Sequence, residues 1–472
     1  MKVPTQEAKS ESAATSTSLH RNLSRRQLTM IVMGSAIGTG LFLGSGLAVH
    51  FGGPAVILAY VFSSGLALMI SWALAEMSVV HPSAGSLGVF AGTYLNSWAG
   101  YMVMVSYWAA AVISIGQEIV AASIYCQFWL PGLPQWFWVV LFASTLIYVN
   151  SWNVGRFGEF EYWFALIKVV TIVLFIVFGG ALLLGLSSFH SPGLANYSAH
   201  GGFLPNGWKG LWFAVPFALI SFIGVELIAV TAGEVKNPDQ AIPKASRSIV
   251  WRLILFYVAS MALLLAIAPW SAIGITVSPF VFVFHTMGVP AASGVMNFVV
   301  LTAALSGANS SLYAATRMLY SMAEQGLTPR IFRRTYRKGV PLFALLGSAA
   351  GLAGATLAAI FIPTRAFIFM IAAAYFQIMF VWIAILLAYV FFRKRHAAEP
   401  LRFRAVKGHP YTTLGAIGSL VAILVTTWWI PSMRVTAICG VAWLALASGY
   451  YAWSQAKGRA VQSDTTVRVS SG

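Results

Sequence analysis

Apolar residues run along this chain in long stretches, separated by short gaps that carry polar residues, glycine and proline. Twelve stretches approach or exceed the roughly 20 residues a helix needs to cross a bilayer: 28–49, 54–79, 97–129, 135–152, 161–186, 208–232, 249–270, 285–320, 341–362, 366–392, 411–430 and 433–454. Barrel strands would show shorter, alternating segments. The pattern therefore predicts an all-α integral membrane protein with twelve transmembrane helices.

Two of the twelve are interrupted at mid-depth. The first carries Gly34-Ser35-Ala36-Ile37-Gly38-Thr39-Gly40, and the sixth carries Ser221-Phe222-Ile223-Gly224-Val225-Glu226. A glycine costs about 1 kcal/mol against alanine inside a helix, so these segments invite unwinding. Unwound backbone at membrane depth survives only where protein buries it or where it lines a cavity, and in transporters such breaks hold substrate and ions. A close helix contact of the small-xxx-small type is the alternative for the first segment taken alone. A unit of five spans used twice, with its second copy inverted because five is odd, accounts for breaks in spans one and six. The repeats fall at about 28–186 and 208–392, and helices 411–454 are left as an appendage.

Composition agrees with this reading: 59% of residues are hydrophobic, 9% are charged, and mean hydropathy is +0.79. The net charge of +17 does not point to nucleic acid, because its placement follows the positive-inside rule. With the N-terminus cytoplasmic, only Lys209, Arg365 and Arg434 fall on the other side, and Lys168 lies within a span. Residues 1–20 and 456–472 read as polar cytoplasmic tails around a single membrane domain at 21–455. The polar segment 233–244 holds Pro238 and Pro243, which predict a loop rather than a continuous helix. Cys126 and Cys439 both sit in apolar spans and indicate no disulfide framework.

Ionisable groups inside the bilayer are costly and tend to serve a function. Lys168 in span five, Glu118 in span three and Glu226 just after the second break are the candidates. Glu118 and Glu226 also admit a neutral, hydrogen-bonded structural role, and Lys168 that of a charged strut. Glu76 near the end of span two, and Glu159 and Glu161 at a helix start, read as structural, the last two complementing the helix dipole. In span eight, Ser306, Asn309, Ser310 and Ser311 offer oxygens in the direction of Lys168. The eight histidines show no ligand spacing, so no metal site is indicated. No nucleophile–base cluster or Walker loop points to an enzyme or a primary pump.

These residues resemble the amino-acid/polyamine/organocation superfamily, most closely its bacterial amino acid permease family. The resemblance rests on Gly34 to Phe42, Leu74-Ala75-Glu76-Met77, Phe157 to Trp163 with Ile167-Lys168-Val169, Phe222 to Glu226, Gly233-Glu234 through Asn237-Pro238, and Asn309-Ser310 through Thr316 to Tyr320, in family order across about 20–455. It implies a LeuT-type fold and secondary uptake of an amino acid, usually by proton symport, with no cofactor beyond the coupling ion. It assigns the substrate carboxylate to the Thr39 and Gly40 amides and the substrate amine to the carbonyls of Ala36, Ile37, Ser221 and Phe222. Gly38 and Gly224 belong to the same expected substrate-binding set, and Phe222 is a candidate aromatic gate. Lys168 takes the place of a sodium ion, with Glu118 and Glu226 as further proton-coupling groups that are also counted among the substrate-binding residues. Helix-terminus electrostatics independently suits one broken helix to both ends of a zwitterion. The expected setting is the bacterial inner membrane, with both termini cytoplasmic and lipid and a small amino acid as partners. An exchanger or facilitator is the alternative, and a neutral or ω-amino acid is favoured over a basic one.

Overall fold

A computed structural model describes residues 24–81, 86–152, 157–186, 193–273, 278–286, 290–335, 340–363, 365–398, 401 and 403–470. The proposed tail at 1–20 lies outside the described residues. Among those described there is no β-strand, as the apolar pattern predicts.

The first expected span divides into α1 (Arg25–Ala36), α2 (Thr39–Phe42) and α3 (Gly44–Gly52). Next come α4 (Val56–Val80), α5 (Ser86–Tyr94), α6 (Ser97–Gln127), α7 (Gln135–Trp152) and α8 (Phe157–Leu183). The sixth span divides into α9 (Gly207–Ile220) and α10 (Leu227–Val230). After it run α11 (Pro238–Ile267), α12 (Pro279–Thr286), α13 (Pro290–Glu324), α14 (Leu342–Ala349), α15 (Gly351–Phe361), α16 (Ala366–Arg395), α17 (Tyr411–Thr426) and α18 (Arg434–Ser470). Local chemistry sets the starts of two of these helices. Ser24 and Gln27 form a capping box on α1, and the Asn96 side chain accepts from Ala99 N–H at 2.8 Å to begin α6.

Among the described residues, nine helical segments are long and apolar enough to cross a membrane. The two interrupted spans are not among them as single helices. Of their halves, α3 runs on into α4 as one of the nine, Gly44–Val80, while α9 has only 14 residues, about 21 Å of helix. The expected loop at 233–244 is helical from Pro238 onward. Pro238 occupies the first turn, where no N–H is needed, and Pro243 costs only the bond that Asp239 C=O would have accepted close to the helix start. At the other end α18 continues through Ser470, beyond the expected domain limit of 455.

The centre of the bundle is α6, which packs along α13 and α16, while α1 lies against α8, α11 and α13. Burial separates inner from outer helices: the most apolar window is 78% buried in α6 and α16 but only 28% buried in the α8 span. Most of α8 thus faces outward through residues such as Val170, Leu174 and Phe178. Its buried residues form one stripe, Glu161, Ala165, Lys168, Ile172, Phe175, Gly179 and Leu182, with the alternating four- and three-residue spacing of a single helix face.

Candidate functional site

Helix α1 ends because Gly38 adopts an extended conformation and the Ile37 N–H closes the last turn on Met33 C=O. The carbonyls left open at such an end need outside donors. Lys168 Nζ donates to Gly34 C=O at 2.5 Å and Tyr257 OH to Ala36 C=O at 2.8 Å. On the far side of the break Thr39 and Gly40 head α2, where no preceding turn supplies acceptors for their N–H groups.

The second break, between α9 and α10, is a run of tight turns with Gly224 at φ 110°. The Glu226 carboxylate turns back to accept from Gly224 N–H at 3.0 and 3.2 Å. The two breaks touch backbone to backbone. A Cβ on Gly40 would stand 3.0 Å from Ile220 O and Ser221 Cα, and one on Gly224 would stand 2.9 Å from Ala36 N. Glycine at these two positions is a condition of the contact.

Beside this contact lies a cavity of about 70 Å³. Six of the ten residues expected to hold a substrate line it: Ala36, Gly38, Gly40, Glu118, Gly224 and Glu226. Ile37, Thr39, Ser221 and Phe222 do not. The Ser221 hydroxyl pairs with Tyr60 OH at 3.1 Å, and the fully buried Phe222 ring packs edge-on against Tyr257 at 4.8 Å. In this conformation the Phe222 ring therefore stands away from the cavity lining. The reason is the tight turn, which carries residue 222 into an aromatic cluster with Tyr60 and Tyr257. The cavity takes its aromatic walls from Tyr107 of α6 and Tyr375 of α16. Tyr107, Ala111, Ser114 and Glu118 stand at i, i+4, i+7 and i+11, so a helical wheel through Glu118 identifies the α6 wall.

Glu118 is wedged between two glycines: Cβ atoms on Gly307 and Gly38 would come within 2.8 Å of its carboxyl carbon and 3.0 Å of an oxygen, respectively. Its carboxyl faces the Thr39 backbone N–H and hydroxyl, while Oε2 has no hydrogen-bond partner. An internal carboxylate thus faces one of the amides expected to receive a substrate carboxylate. Gln117 donates to the same hydroxyl at 3.2 Å.

The span-eight polar cluster divides between two tasks. Ser306 donates to Glu161 at 2.6 Å, and Asn309 accepts from Asn150 at 2.8 Å, whereas Ser310 and Ser311 line the cavity. The sequence alone makes Glu161 a dipole partner at a helix start; in the fold it is fully buried on the inward stripe of α8. The side chain of Glu159 lies outside the described residues. Glu76 is structural, as expected. It is buried and accepts from Tyr389 OH and Arg393 Nη1 at 2.8 Å and from the Ala405 and Val406 N–H groups at 2.5 and 3.0 Å.

The amino acid permease family pattern matches residues 27–459. The chain belongs to the amino acid permease family. A putative histidine permease of Bacillus subtilis (strain 168) is 38% identical over 433 residues, covering 90% of this chain and 91% of the relative. The gamma-aminobutyric acid permease of the same organism is 38% identical over 421 residues, covering 88% and 89%. The aromatic amino acid transport protein AroP of Shigella flexneri is 36% identical over 447 residues, covering 94% and 98%. This permease is thus an integral membrane protein whose relatives are named as transporters. The match takes in both breaks and the inward stripe of α8.

Proposed function

We propose that this permease is a secondary active transporter that imports an amino acid across the bacterial inner membrane by proton symport, with access alternating around the two breaks. The observation that carries the reading is the backbone contact of Gly40 and Gly224 across the two interrupted helices, beside a cavity lined by both breaks. A cavity bounded by two half-helix pairs opens to either side by small movements of those halves. The proposed arrangement has twelve spans, with inverted repeats at about 28–186 and 208–392, helices 411–454 appended, and both termini cytoplasmic. The two breaks lie in corresponding positions of the halves, and the basic loops favour that orientation.

The amine and carboxylate of the substrate are assigned to Ala36, Ile37, Gly38, Thr39, Gly40, Ser221, Phe222 and Gly224, with Glu118 and Glu226 facing its remainder. The walls contributed by Ala110, Ala111, Ser114, Gly307 and Ala374 are small and largely apolar, which favours a neutral or ω-amino acid. Two of the relatives carry names of γ-aminobutyrate and aromatic amino acids. Lys168, Glu118 and Glu226 are the proposed proton-coupling groups.

Uptake of labelled serine, histidine, phenylalanine and γ-aminobutyrate into proteoliposomes, with and without an inward proton gradient, tests this. Accumulation of one class that follows the gradient is expected. Exchange indifferent to the gradient would make the protein an antiporter or facilitator, and an absence of amino acid uptake in an intact preparation would end the reading.

A further inference from the structure

Glu161 combines three features that its position at a helix start does not explain. It is fully buried on the inward stripe of an otherwise outward-facing helix. One of its oxygens is hydrogen bonded to Ser306, while Oε2 has no partner. Its Oε1 also presses on the broken first helix, 2.8 Å from where a Cβ of Gly34 would stand, beside the carbonyl that receives the Lys168 ammonium.

Glu161 and Lys168 are seven residues apart, two turns of one helix face. The carboxylates that act electrostatically on Lys168 are Glu161 and Glu118. The line Glu118, Lys168, Glu161 therefore runs from the cavity wall toward the start of α8. With all three groups ionised the line carries one net negative charge, and a single added proton makes it neutral. Buried net charge is strongly disfavoured. The Oε2 atoms of Glu118 and Glu161 are the two carboxyl oxygens of the line left without a close hydrogen-bond partner, with the side chains of Asn309 and Ser310 standing near Glu161. Next to Glu161 along α8, Tyr162 lines an open groove of about 460 Å³ shared with Arg26, Leu166 and Arg252.

We propose that Glu161 is the inner relay of the coupling proton, delivering to the cytoplasmic side what Glu118 takes up at the cavity. The proton adds to Glu118. Lys168 then leaves the Gly34 carbonyl that holds its ammonium, gives its own proton to Glu161 and receives the one from Glu118, so the line stays neutral. Protonated Glu161, itself buried, releases toward the groove that its neighbour Tyr162 lines, and the line regains its single negative charge until Glu118 reloads. This rests on the symport reading.

The test uses full-length protein in proteoliposomes containing a pH-sensitive dye. Substrate-driven proton entry is compared with counterflow of whichever of the four labelled amino acids the wild type accumulates. In Glu161→Gln the ratio of gradient-driven accumulation to counterflow is expected to fall at least about ten-fold, together with the dye signal, and Glu161→Asp to restore part of both. Wild-type coupling in Glu161→Gln overturns the relay and leaves symport standing. Parallel loss of counterflow and accumulation in both variants also overturns it, since that marks a structural role. A wild type that accumulates amino acid with no dye response removes the symport reading itself, and the relay with it.

Discussion

Lys168 of α8 donates to the carbonyl of Gly34 at 2.5 Å, so a side chain from the fifth span satisfies the end of the broken first helix. A cation at a helix C-terminus also complements the dipole, and this one stands between two buried acids. Replacement by methionine keeps most of the volume but leaves the carbonyl open and the acids unbalanced. Lys168→Met is expected to cost about 3 to 5 kcal/mol, read as a lower melting temperature of detergent-purified protein. An unchanged melt would show that the ammonium does not support the break.

The contact between the breaks makes a second prediction. Gly40→Ala places a Cβ 3.0 Å from backbone atoms of the second break, and Gly224→Ala adds the strain of φ 110° to a 2.9 Å approach. Backbone cannot yield as a side-chain end can, so each is expected to cost about 1 to 3 kcal/mol and to abolish uptake. Gly418→Ala is the control. It sits within α17 with nothing inside 4 Å of the added Cβ, and the change is expected to be neutral or to stabilise by up to about 1 kcal/mol. Uptake and melting temperature measured on all three separate a specific contact from a general intolerance of the longer side chain.

How far the sequence foretells this site depends on whether the signal is local. The breaks are legible because glycine inside an apolar run has few other physical reasons to be there. Their mutual contact is legible only as a consequence of pairing spans one and six. Phe222 is misplaced by linear order, because a tight turn redirects a side chain in a way that order does not display, whereas Tyr107 is recoverable from its three-turn spacing to Glu118. Nearness to a helix start does not disclose that Glu161 is buried. The four- and three-residue stripe through Ala165, Lys168 and Ile172 carries the better information, but which face of an apolar helix turns inward depends on its neighbours. Pro243 misleads, since a proline near a helix start removes little.

Glu76 makes a third prediction. Its carboxylate gathers four donors from Tyr389, Arg393, Ala405 and Val406, joining α4 to the end of α16 and the segment before α17. An amide in its place puts an N–H₂ where only donors face it. Glu76→Gln is expected to destabilise by about 2 to 4 kcal/mol. Arg393→Ala leaves three of the four donors, and the lost guanidinium is 15% exposed, so the smaller effect is expected there. Melting temperatures in the reverse order would show that the ion pair, rather than the backbone N–H bonds, holds this junction.

The last prediction concerns pH at the ends of α4 and α16. Tyr94 OH lies 2.7 Å from His81 Nε2 and 3.1 Å from His396 Nε2, so one hydroxyl serves two imidazoles. Burial, and then the neighbouring His396, lower the His81 pKa from its ordinary 6.5. Burial and Arg393 lower that of His409, against a smaller opposing effect of Glu76. A histidine with a lowered folded-state pKa binds fewer protons than the unfolded chain in the window below 6.5, so stability is present above that pH and declines as pH falls through the window. The melting temperature is therefore expected to drop between about pH 7 and about pH 5.5. In the double variant His81→Gln, His409→Gln the slope below 6.5 is expected to be shallower, because neither position then takes up a proton on unfolding. A slope as steep as in the wild type would assign the acid sensitivity to other groups, and a wild-type melt that rises on acidification would contradict the sign that the two lowered pKa values require.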